Sequence, residues 1–352
     1  MATVQRYLNA AGHVRYRVRY RSPGRRQTDR RGFRTKRDAE QFAATVEVSK
    51  LRGEYVAPSD TRVTIGELGE TWLANQTHLK PSTARTVEIA WRVHVLPRWE
   101  AAPLTEVRHS DVQSWVSELS ARRGATTVIR AFGVLAAILD TAVRDHRLAS
   151  NPARGVKLPR KVRREHVYLT HQQVHALAAA AGNNGPMVLL LAYCGLRWGE
   201  AAGLRVLDCN FTQRRIRVVN NAVEVGSKVI VGTPKNHRRR TVPLPRFIVD
   251  RLAEQCRGKE PDDLLFPGPT GGHMRPPRGS GGWFENARKR AGLPRLTPHD
   301  LRHTAASLSV SAGANVKAVQ RMLGHSSAAM TLDVYADLFD DDLEAALSVN
   351  LA

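Results

Sequence analysis

The chain carries the stretch TPHDLRHTAASL at Thr297–Leu308 and, after it, LGHSSAAMTLDVYADL at Leu323–Leu338. The first stretch predicts a helix on which His299 and Arg302, three residues apart, share a face. The second predicts an apolar helix that ends at a Gly-His pair and is followed by an isolated tyrosine. Together the two stretches predict that a cation, two imidazoles and a phenol lie close to one another.

These side chains suit the cleavage of a phosphodiester by a side-chain nucleophile. Such a reaction needs a nucleophile that can leave again, fixed positive charge around the non-bridging oxygens and a proton for the departing 5′-oxygen. Tyr335 is the candidate nucleophile. Arg197, in the stretch GLRWGE, offers a second planar guanidinium beside Arg302, and Lys235 is the candidate proton donor.

Each candidate also has a purely structural interpretation. An isolated tyrosine on a helix is usually a core or interface aromatic, so Tyr335 alone is a weak indication of catalysis. Arg197 and Glu200, three residues apart, fit a structural ion pair, and His325 fits a helix cap. Lys235 lies in a basic run and fits a solvated patch. Each signal is weak by itself, and the hypothesis rests on their combination.

The composition predicts a polyanionic partner. The 352 residues carry a formal net charge of +22 with an apolar fraction of 42%, which fits two or three domains. Such a charge favours nucleic acid or an anionic membrane surface as the partner. No apolar run approaches the ~20 residues of a membrane span, and the first residues lack the apolar core of a signal peptide. We therefore expect a cytoplasmic protein with a nucleic-acid partner.

No cofactor and no metal are predicted. The three cysteines, Cys194, Cys209 and Cys256, are widely spaced and lack a cysteine or histidine partner at zinc-ligand spacing, which indicates a reducing compartment. His299 and His303, in HDLRH, superficially resemble a two-histidine zinc helix. That motif needs a glutamate where this chain has an aspartate, so we discount it.

A small basic module is predicted over residues 1–56. Val14 to Tyr20 alternate between apolar residues and Arg15, Arg17 and Arg19, a pattern typical of a strand with one apolar and one cationic face. A second strand and a helix are predicted to follow. A solvated sheet face and a sheet face lying in a DNA groove both explain these arginines. DNA contact is our hypothesis because the whole module is basic.

An all-helical domain is predicted over residues 61–154, including a helix that begins at Pro81 and ends at Pro97. A basic linker is predicted at 155–167. Like charges keep such a segment extended, and it is either merely solvated or runs along a phosphate backbone. Its candidate DNA-binding residues are Arg160, Lys161, Arg163 and Arg164.

The third domain is predicted over residues 168–352. After two helices, the segments RRIRVVN, SKVIVG and RRRTVPLP predict three strands. A turn at residues 233–236 (TPKN) is predicted to join the last two strands as a hairpin, from which Lys235 would reach into the site. Arg238, close to this turn, is a further candidate for DNA contact.

The third domain resembles the catalytic domain of the tyrosine recombinases, the lambda-integrase-like site-specific recombinases. GLRWGE is similar to the family's first arginine box, TPHDLRHTAA to its second box, and LGHSSAAMTLDVYADL to the segment with its nucleophile. The helical domain resembles the family's SAM-like core-binding domain, and the basic module resembles the AP2-like arm-binding domain of its integrases. The resemblance implies an α+β protein, mainly helical with small β elements, whose domains clamp DNA.

The resemblance also implies a role for each candidate residue. Tyr335 would attack the scissile phosphate to give a 3′-phosphotyrosine, while Lys235 protonates the 5′-hydroxyl. His299 would handle the tyrosine proton or hold a phosphate oxygen, Glu200 would support the first arginine, and both arginines with His325 would stabilise the transition state. The implied catalytic residues are Arg197, Glu200, Lys235, His299, Arg302, His325 and Tyr335.

The implied partners are double-stranded DNA attachment sites and other copies of the chain, as a homotetramer on DNA in a bacterial host cell. A host DNA-bending protein and an excisionase are candidate accessory factors. No ATP or metal is implied, because one phosphodiester is exchanged for another.

The basic module favours a phage, prophage or mobile-element integrase over a Xer-type resolving recombinase. The sequence also fits two different classes of DNA-binding protein. A type IB topoisomerase uses similar chemistry but needs no paired sites. A non-catalytic DNA-binding regulator has the same basic surface but forms no covalent adduct.

Overall fold

The computed structural model describes residues 2–22, 27–51, 55, 62–162, 166–234, 239–277, 279, 281–325, 327 and 329. The chain divides into two compact units, Met1–Val162 and Arg163–Ala352, with the division inside the predicted basic linker. The described residues are mainly helical with small antiparallel sheets, which confirms the predicted fold class. The candidates that lie outside the described residues are Arg163, Arg164, Lys235, Arg238 and Tyr335.

A three-stranded antiparallel sheet begins the first unit. Its strands, in spatial order, are β1 (Thr3–Leu8), β2 (Val14–Arg21) and β3 (Gln27–Phe33). The predicted alternating strand is confirmed as β2, since Val18 and Tyr20 are buried in one cluster with Val46 of helix α1 (Lys36–Leu51). Because successive side chains of a strand alternate, the arginines of β2 lie on the face opposite this cluster.

The arginine face of this sheet also contains an acidic residue. Asp29 of β3 lies opposite Arg19 in the strand register. The carboxylate of Asp29 accepts a hydrogen bond of 2.9 Å from Nε of Arg31, and the guanidinium of Arg17 lies 4.0 Å from it. Arg17 also donates to the side-chain oxygen of Gln5 at 3.0 Å. The positive charge of this face is therefore partly neutralised within the module.

Helices form the rest of the first unit. They are α2 (Ile65–Ala74), α3 (Pro81–Ala90), α4 (Leu96–Trp99), α5 (His109–Arg122) and α6 (Ala125–Arg144). Their core is a second hydrophobic cluster, to which α6 contributes Val128, Leu135 and Leu139. By length and composition α6 is also long and apolar enough to cross a membrane, but these residues are packed inside the helical unit.

The prediction that the helix beginning at Pro81 ends at Pro97 is wrong. The chain continues from α3 through a π-helical turn, Trp91–Val95, directly into α4, where Pro97 lies in the first turn. Proline has no amide hydrogen, and its ring clashes with the carbonyl four residues earlier, here that of Val93. A wider π turn accommodates the missing amide hydrogen and makes room for the ring. This proline therefore alters one turn without ending the helix.

The first part of the predicted linker is docked on the helices. Val156 packs against the helical core. The side-chain amide of Gln113 binds both backbone groups of Lys157, accepting from its N–H at 2.9 Å and donating to its carbonyl at 3.2 Å. Exposed side chains follow at Arg160 and Lys161.

The second unit is built around one buried helix. Its helices are α7 (His171–Ala180), α8 (Gly185–Cys194), α9 (Trp198–Ala202), α10 (Arg246–Cys256), α11 (Trp283–Arg290), α12 (Pro298–Ser311) and α13 (Val316–Leu323). Its strands are β4 (Cys209–Asn210), β5 (Arg215–Val218), β6 (Asn221–Val225), β7 (Lys228–Gly232) and β8 (Arg240–Pro243). The apolar helix α8 is buried along most of its length and packs against α7 and α12.

The predicted hairpin between the last two strands is also wrong. β7 pairs with β6, whereas β8 pairs with β5, so residues 233–239 connect two different sheets. The tight turn lies instead at Gly226 and Ser227, where Gly226 has a φ of +64°. A Gly-Ser pair between two apolar runs is a hairpin signal, and it marks the turn that the prediction placed too late.

Candidate active site

The first arginine box lies where the buried helix α8 ends. Gly195 caps this helix with a φ of +61°, and a Cβ added there would lie 2.7 Å from Cδ2 of Leu323. Only glycine fits both the conformation and the space, so the chain can turn sharply at this point. Arg197 follows as the N-cap of α9, with 28% of its side chain exposed.

Glu200 is the buried anchor of this box, with no exposed side-chain surface. Its carboxylate accepts hydrogen bonds from the backbone N–H of Arg197 at 2.8 Å and from the guanidinium of Arg197 at 3.0 Å. Arg240, at the start of β8, donates two more hydrogen bonds to the same carboxylate, at 2.9 and 2.7 Å. One carboxylate therefore holds two guanidinium groups in fixed positions.

The pKa of Glu200 is lowered from its ordinary 4.5 to about 2. Burial, the largest influence, would raise this pKa, but the hydrogen bonds and charge of Arg240, followed by those of Arg197, outweigh it. Glu200 is therefore ionised at any pH at which the protein is expected to act.

Replacing Glu200 with glutamine is expected to remove a pH-dependent part of the stability. A carboxyl group whose pKa is depressed by folding adds its full share to the free energy of unfolding above its pKa in the unfolded state. That share is lost as the pH falls through its pKa in the folded state. The shift from 4.5 to about 2 corresponds to about 3 kcal/mol. The difference in free energy of unfolding between wild type and Glu200→Gln should therefore shrink between about pH 5 and pH 2, as measured by urea unfolding.

The exposed Glu254, which pairs with Arg257 on the surface, provides the matched control. Glu254→Gln should differ little from the wild type at every pH, because surface ion pairs contribute little to stability. A pH-independent difference for Glu200→Gln would contradict the assigned pKa.

Arg302, from the second arginine box on α12, is only 2% exposed. Its Nη1 donates to the carbonyl of Gly195, and its Nη2 donates to the carbonyl of Leu323 at 2.6 Å. Both carbonyls lie at helix C-termini, where carbonyl groups lack intrahelical partners. Arg302 thereby connects the turn before Arg197 to the turn before His325.

The turn that carries His325 is held from a second side by Arg240. Nε of Arg240 donates to the carbonyl of Met322 at 3.0 Å. Gly324 ends α13 with a φ of +67°, and a Cβ added there would lie 3.1 to 3.2 Å from atoms of the Arg240 side chain. The backbone N–H of His325 donates to the carbonyl of Gln320 at 3.2 Å, which closes the last turn.

The electrostatics of the site favour neutral imidazoles. The pKa of His325 is lowered to about 4, first by burial and then by the charges of Arg302, Arg197 and Arg240. The pKa of His299 is also lowered, first by partial burial of its ring and then by the charge of Arg302. Near pH 7 both rings are neutral and donate a hydrogen bond through one nitrogen only.

The structure thus brings five of the seven catalytic candidates together. They are Arg197, Glu200, His299, Arg302 and His325. The remaining two, Lys235 and Tyr335, lie outside the described residues. Of the five DNA-binding candidates within the described residues, Arg160 and Lys161 are exposed, and β2 carries Arg15, Arg17 and Arg19. One of these, Arg15, donates to the carbonyl of Val14 at 3.0 Å.

Sequence reasoning missed Arg240, which lies at the end of the basic run around Lys235. The signal that identifies it is the alternation of β8, because Arg240 and the fully buried Val242 are two residues apart and share a face. A basic residue on the buried face of a strand needs an acidic partner, and here the partner is Glu200.

Histidines near the second arginine box pack against one another. The ring centroids of His299 and His303 lie 4.8 Å apart, edge to face, and His303 stacks on His166 at 3.8 Å. Within the described ranges, no group of three or more His, Cys, Asp or Glu side chains is placed to hold a metal ion.

Two family models match the chain. The one described as "Phage integrase, N-terminal SAM-like domain" matches residues 64–120, and the one described as "Phage integrase family" matches residues 167–341. The chain belongs to the phage integrase family. It is a site-specific tyrosine recombinase, as the two arginine boxes predicted.

A curated relative and two solved structures are similar to the chain. The recombinase is 29% identical over 278 residues to the putative prophage phiRv2 integrase of Mycobacterium tuberculosis. The aligned region covers 76% of this chain and 72% of the relative. The Tn1549 transposon integrase in complex with a circular intermediate DNA is 23% identical, with a TM-score of 0.70 over 80% of this chain and 99% of that chain. A lambda integrase tetramer bound to a Holliday junction is 17% identical, with a TM-score of 0.61 over 92% of this chain and 95% of that one. These two structures have the same fold.

Proposed function

We propose that this recombinase integrates or excises DNA through a 3′-phosphotyrosyl intermediate, with Tyr335 as the nucleophile. The hydroxyl oxygen of Tyr335 bonds to phosphorus while the bond from phosphorus to the 5′-oxygen breaks. Lys235 gives its proton to the departing 5′-oxygen, and His299 accepts the tyrosine proton or binds a phosphate oxygen. Attack by a new 5′-hydroxyl reverses the step. Because one phosphodiester replaces another, the bond energy is kept and no ATP is needed.

The convergence of two arginines on one imidazole carries this proposal. Arg197 and Arg302 come from distant segments, yet the charges of both act on His325. The hydrogen bonds of Arg302 to the carbonyls of Gly195 and Leu323 fix the plane of its guanidinium before any substrate arrives. A phosphodiester at this point would meet two guanidinium groups and a neutral imidazole donor, which is the preorganised positive environment that its transition state requires.

The substrate that fits this chemistry is double-stranded DNA with attachment sites, and we propose a homotetramer as the recombining assembly. The similar lambda integrase is a tetramer on a Holliday junction. The net charge of +22 supports extensive contact with phosphates. A host DNA-bending protein and an excisionase are proposed accessory factors, and the bacterial cytoplasm is the proposed location.

We assign the domains to these tasks as follows. Residues 1–56 would bind arm-type DNA sites, residues 61–154 would bind the core site, and residues 155–167 would run along DNA to the catalytic domain at 168–352. The proposed DNA contacts are Arg15, Arg17, Arg19, Arg160, Lys161, Arg163, Arg164 and Arg238.

The test is covalent attachment of the wild-type protein to DNA in EDTA. A protection footprint would first locate a bound site, and a nick placed within it would release the short strand and trap the intermediate. We expect a complex that survives denaturation, and we expect strand exchange only between paired sites. Absence of the adduct would favour a DNA-binding regulator, and relaxation of supercoiled DNA without paired sites would favour a topoisomerase.

A further inference from the structure

We propose that Arg240 is a positioning residue that locks the first arginine box to the turn carrying His325, so that Arg197 and His325 address the same phosphate. This inference rests on the proposed function, because it concerns how that site is held in its working geometry. Arg240 is not among the residues that touch the reacting atoms.

The contacts of Arg240 connect the two parts of the site directly. Nη1 and Nη2 donate to the two oxygens of Glu200, and Nε donates to the carbonyl of Met322. Glu200 in turn binds the backbone and the side chain of Arg197. One planar guanidinium therefore sets the orientation of the carboxylate behind Arg197 and the position of the last turn of α13.

The packing around Arg240 leaves it little freedom and little access to DNA. Its side chain is 11% exposed. Gly324 lies so close that an added Cβ would be 3.1 Å from Cδ of Arg240, so the turn before His325 rests on this side chain. A basic residue that served only to attract DNA would be exposed, as the neighbouring Arg239 is.

The strand that carries Arg240 is anchored in the core. Arg240 pairs with Val218 of β5, and Ile216 and Val242 pair two positions further along the ladder. All three apolar residues are fully buried. Arg240 therefore projects from a rigid element, which is what a residue needs if it is to fix the position of others.

Arg240 and Arg302 bind neighbouring backbone carbonyls at the end of α13. Arg302 takes the carbonyl of Leu323, and Arg240 takes that of Met322. Arg302 also reaches Gly195, before Arg197, while Arg240 reaches Glu200, after it. The first arginine box is thus fixed to the His325 turn from both of its ends.

The test compares Arg240→Lys and Arg240→Gln with Arg239→Lys, an exposed control at the adjacent position. Lysine cannot bind both carboxylate oxygens and the Met322 carbonyl at once. We expect the single-turnover cleavage rate at saturating nicked DNA to fall about 100-fold in both Arg240 variants, because small misplacements at an active site have effects of that size. The DNA concentration for half-saturation should stay within about threefold, and Arg239→Lys should cleave like the wild type.

A pH profile separates positioning from a merely structural role. The charged and titratable groups that act on His325 are Arg302, Arg197, Arg240 and His299. Loss of one positive charge in Arg240→Gln raises the pKa of His325, so any change in cleavage rate that follows protonation of His325 should move to higher pH. This change should stay at the wild-type pH in Arg240→Lys, which keeps the charge.

The possible outcomes are distinct. If wild type forms no adduct, the proposed function fails. If wild type cleaves and both Arg240 variants cleave as fast as Arg239→Lys, the positioning role is refuted. It is also refuted if cleavage and DNA binding fall together and the pH profile of Arg240→Gln matches that of the wild type. Should neither Arg240 variant fold, Glu200→Gln weakens the same connection from its other side while Arg240 stays in place. It should show the same selective loss of cleavage rate, and unchanged cleavage there would overturn the proposal.

Discussion

Arg302→Lys is expected to reduce DNA cleavage by about a thousandfold and to lower the stability of the second unit as well. A lysine is a single point charge and cannot replace a planar group that binds phosphate while holding two carbonyls. Loss of one preorganised donor typically lowers the rate by about 10² to 10³. The carbonyls of Gly195 and Leu323 would compete for one ammonium group, and an unpaired buried carbonyl costs about 1–3 kcal/mol.

Arg197→Lys is the matched comparison, because the same substitution is made at a partly exposed arginine. Its side chain makes one hydrogen bond to Glu200, and the backbone bond of Arg197 to Glu200 is unaffected by the change. Cleavage should fall by a similar factor, measured as the single-turnover rate on nicked DNA, while the melting temperature changes little. If Arg302→Lys lost stability but cleaved normally per folded molecule, Arg302 would be purely structural.

Lys235→Ala is expected to slow cleavage by about 10² to 10⁴, the usual contribution of a general acid. The loss should depend on the leaving group, because a 5′-oxygen needs a proton to depart and a 5′-sulfur does not. A substrate with sulfur in place of the bridging 5′-oxygen should therefore be cleaved at nearly the same rate by Lys235→Ala and by the wild type.

Arg197→Lys serves again as the control for this measurement. This substitution removes a planar two-pronged donor from the phosphate and leaves the proton supply to the leaving group unchanged. Sulfur should therefore not restore its cleavage rate. If Lys235→Ala were equally slow on both substrates, Lys235 would not be the proton donor, and its role would be limited to binding DNA.

Helices of both units could be predicted from the sequence because their signals are local. Thr170 and Gln173, three residues apart, have the capping-box pattern and form that box before α7, and Pro186 lies in the first turn of α8, where proline is favoured. Apolar residues at helical spacing predicted the buried sides of α5 and α6. These features depend on residues only a few positions apart.

The two wrong predictions are the hairpin between the last two strands and the helix end at Pro97. The first depends on interactions between distant residues, and the second on a choice between two local conformations. The pairing of β8 with β5 depends on tertiary packing, which the order of strands along the chain does not fix. Pro97 could end a helix or widen one turn, and the buried Trp91 and Trp99 on either side favour the continuous helix.

In the candidate site, too, short motifs could be predicted from the sequence, whereas contacts between distant residues could not. Arg197, His299, Arg302 and His325 were predicted because each lies in a short motif of reactive side chains. That Arg302 is buried and holds two helix ends could not be predicted, because its acceptors are backbone carbonyls, which every residue has. Arg240 required knowledge of which face of β8 is buried.

The measurement that tests the central claim most directly is identification of the residue joined to DNA. The covalent complex would be formed in EDTA, trimmed with nuclease, digested with protease and analysed by mass spectrometry. We predict a peptide with a nucleotide attached to Tyr335 through its 3′-phosphate, a free 5′-hydroxyl on the other DNA end, and no complex with Tyr335→Phe. Attachment to another residue or to a 5′-phosphate, or a complex that persists in Tyr335→Phe, would contradict the proposed mechanism.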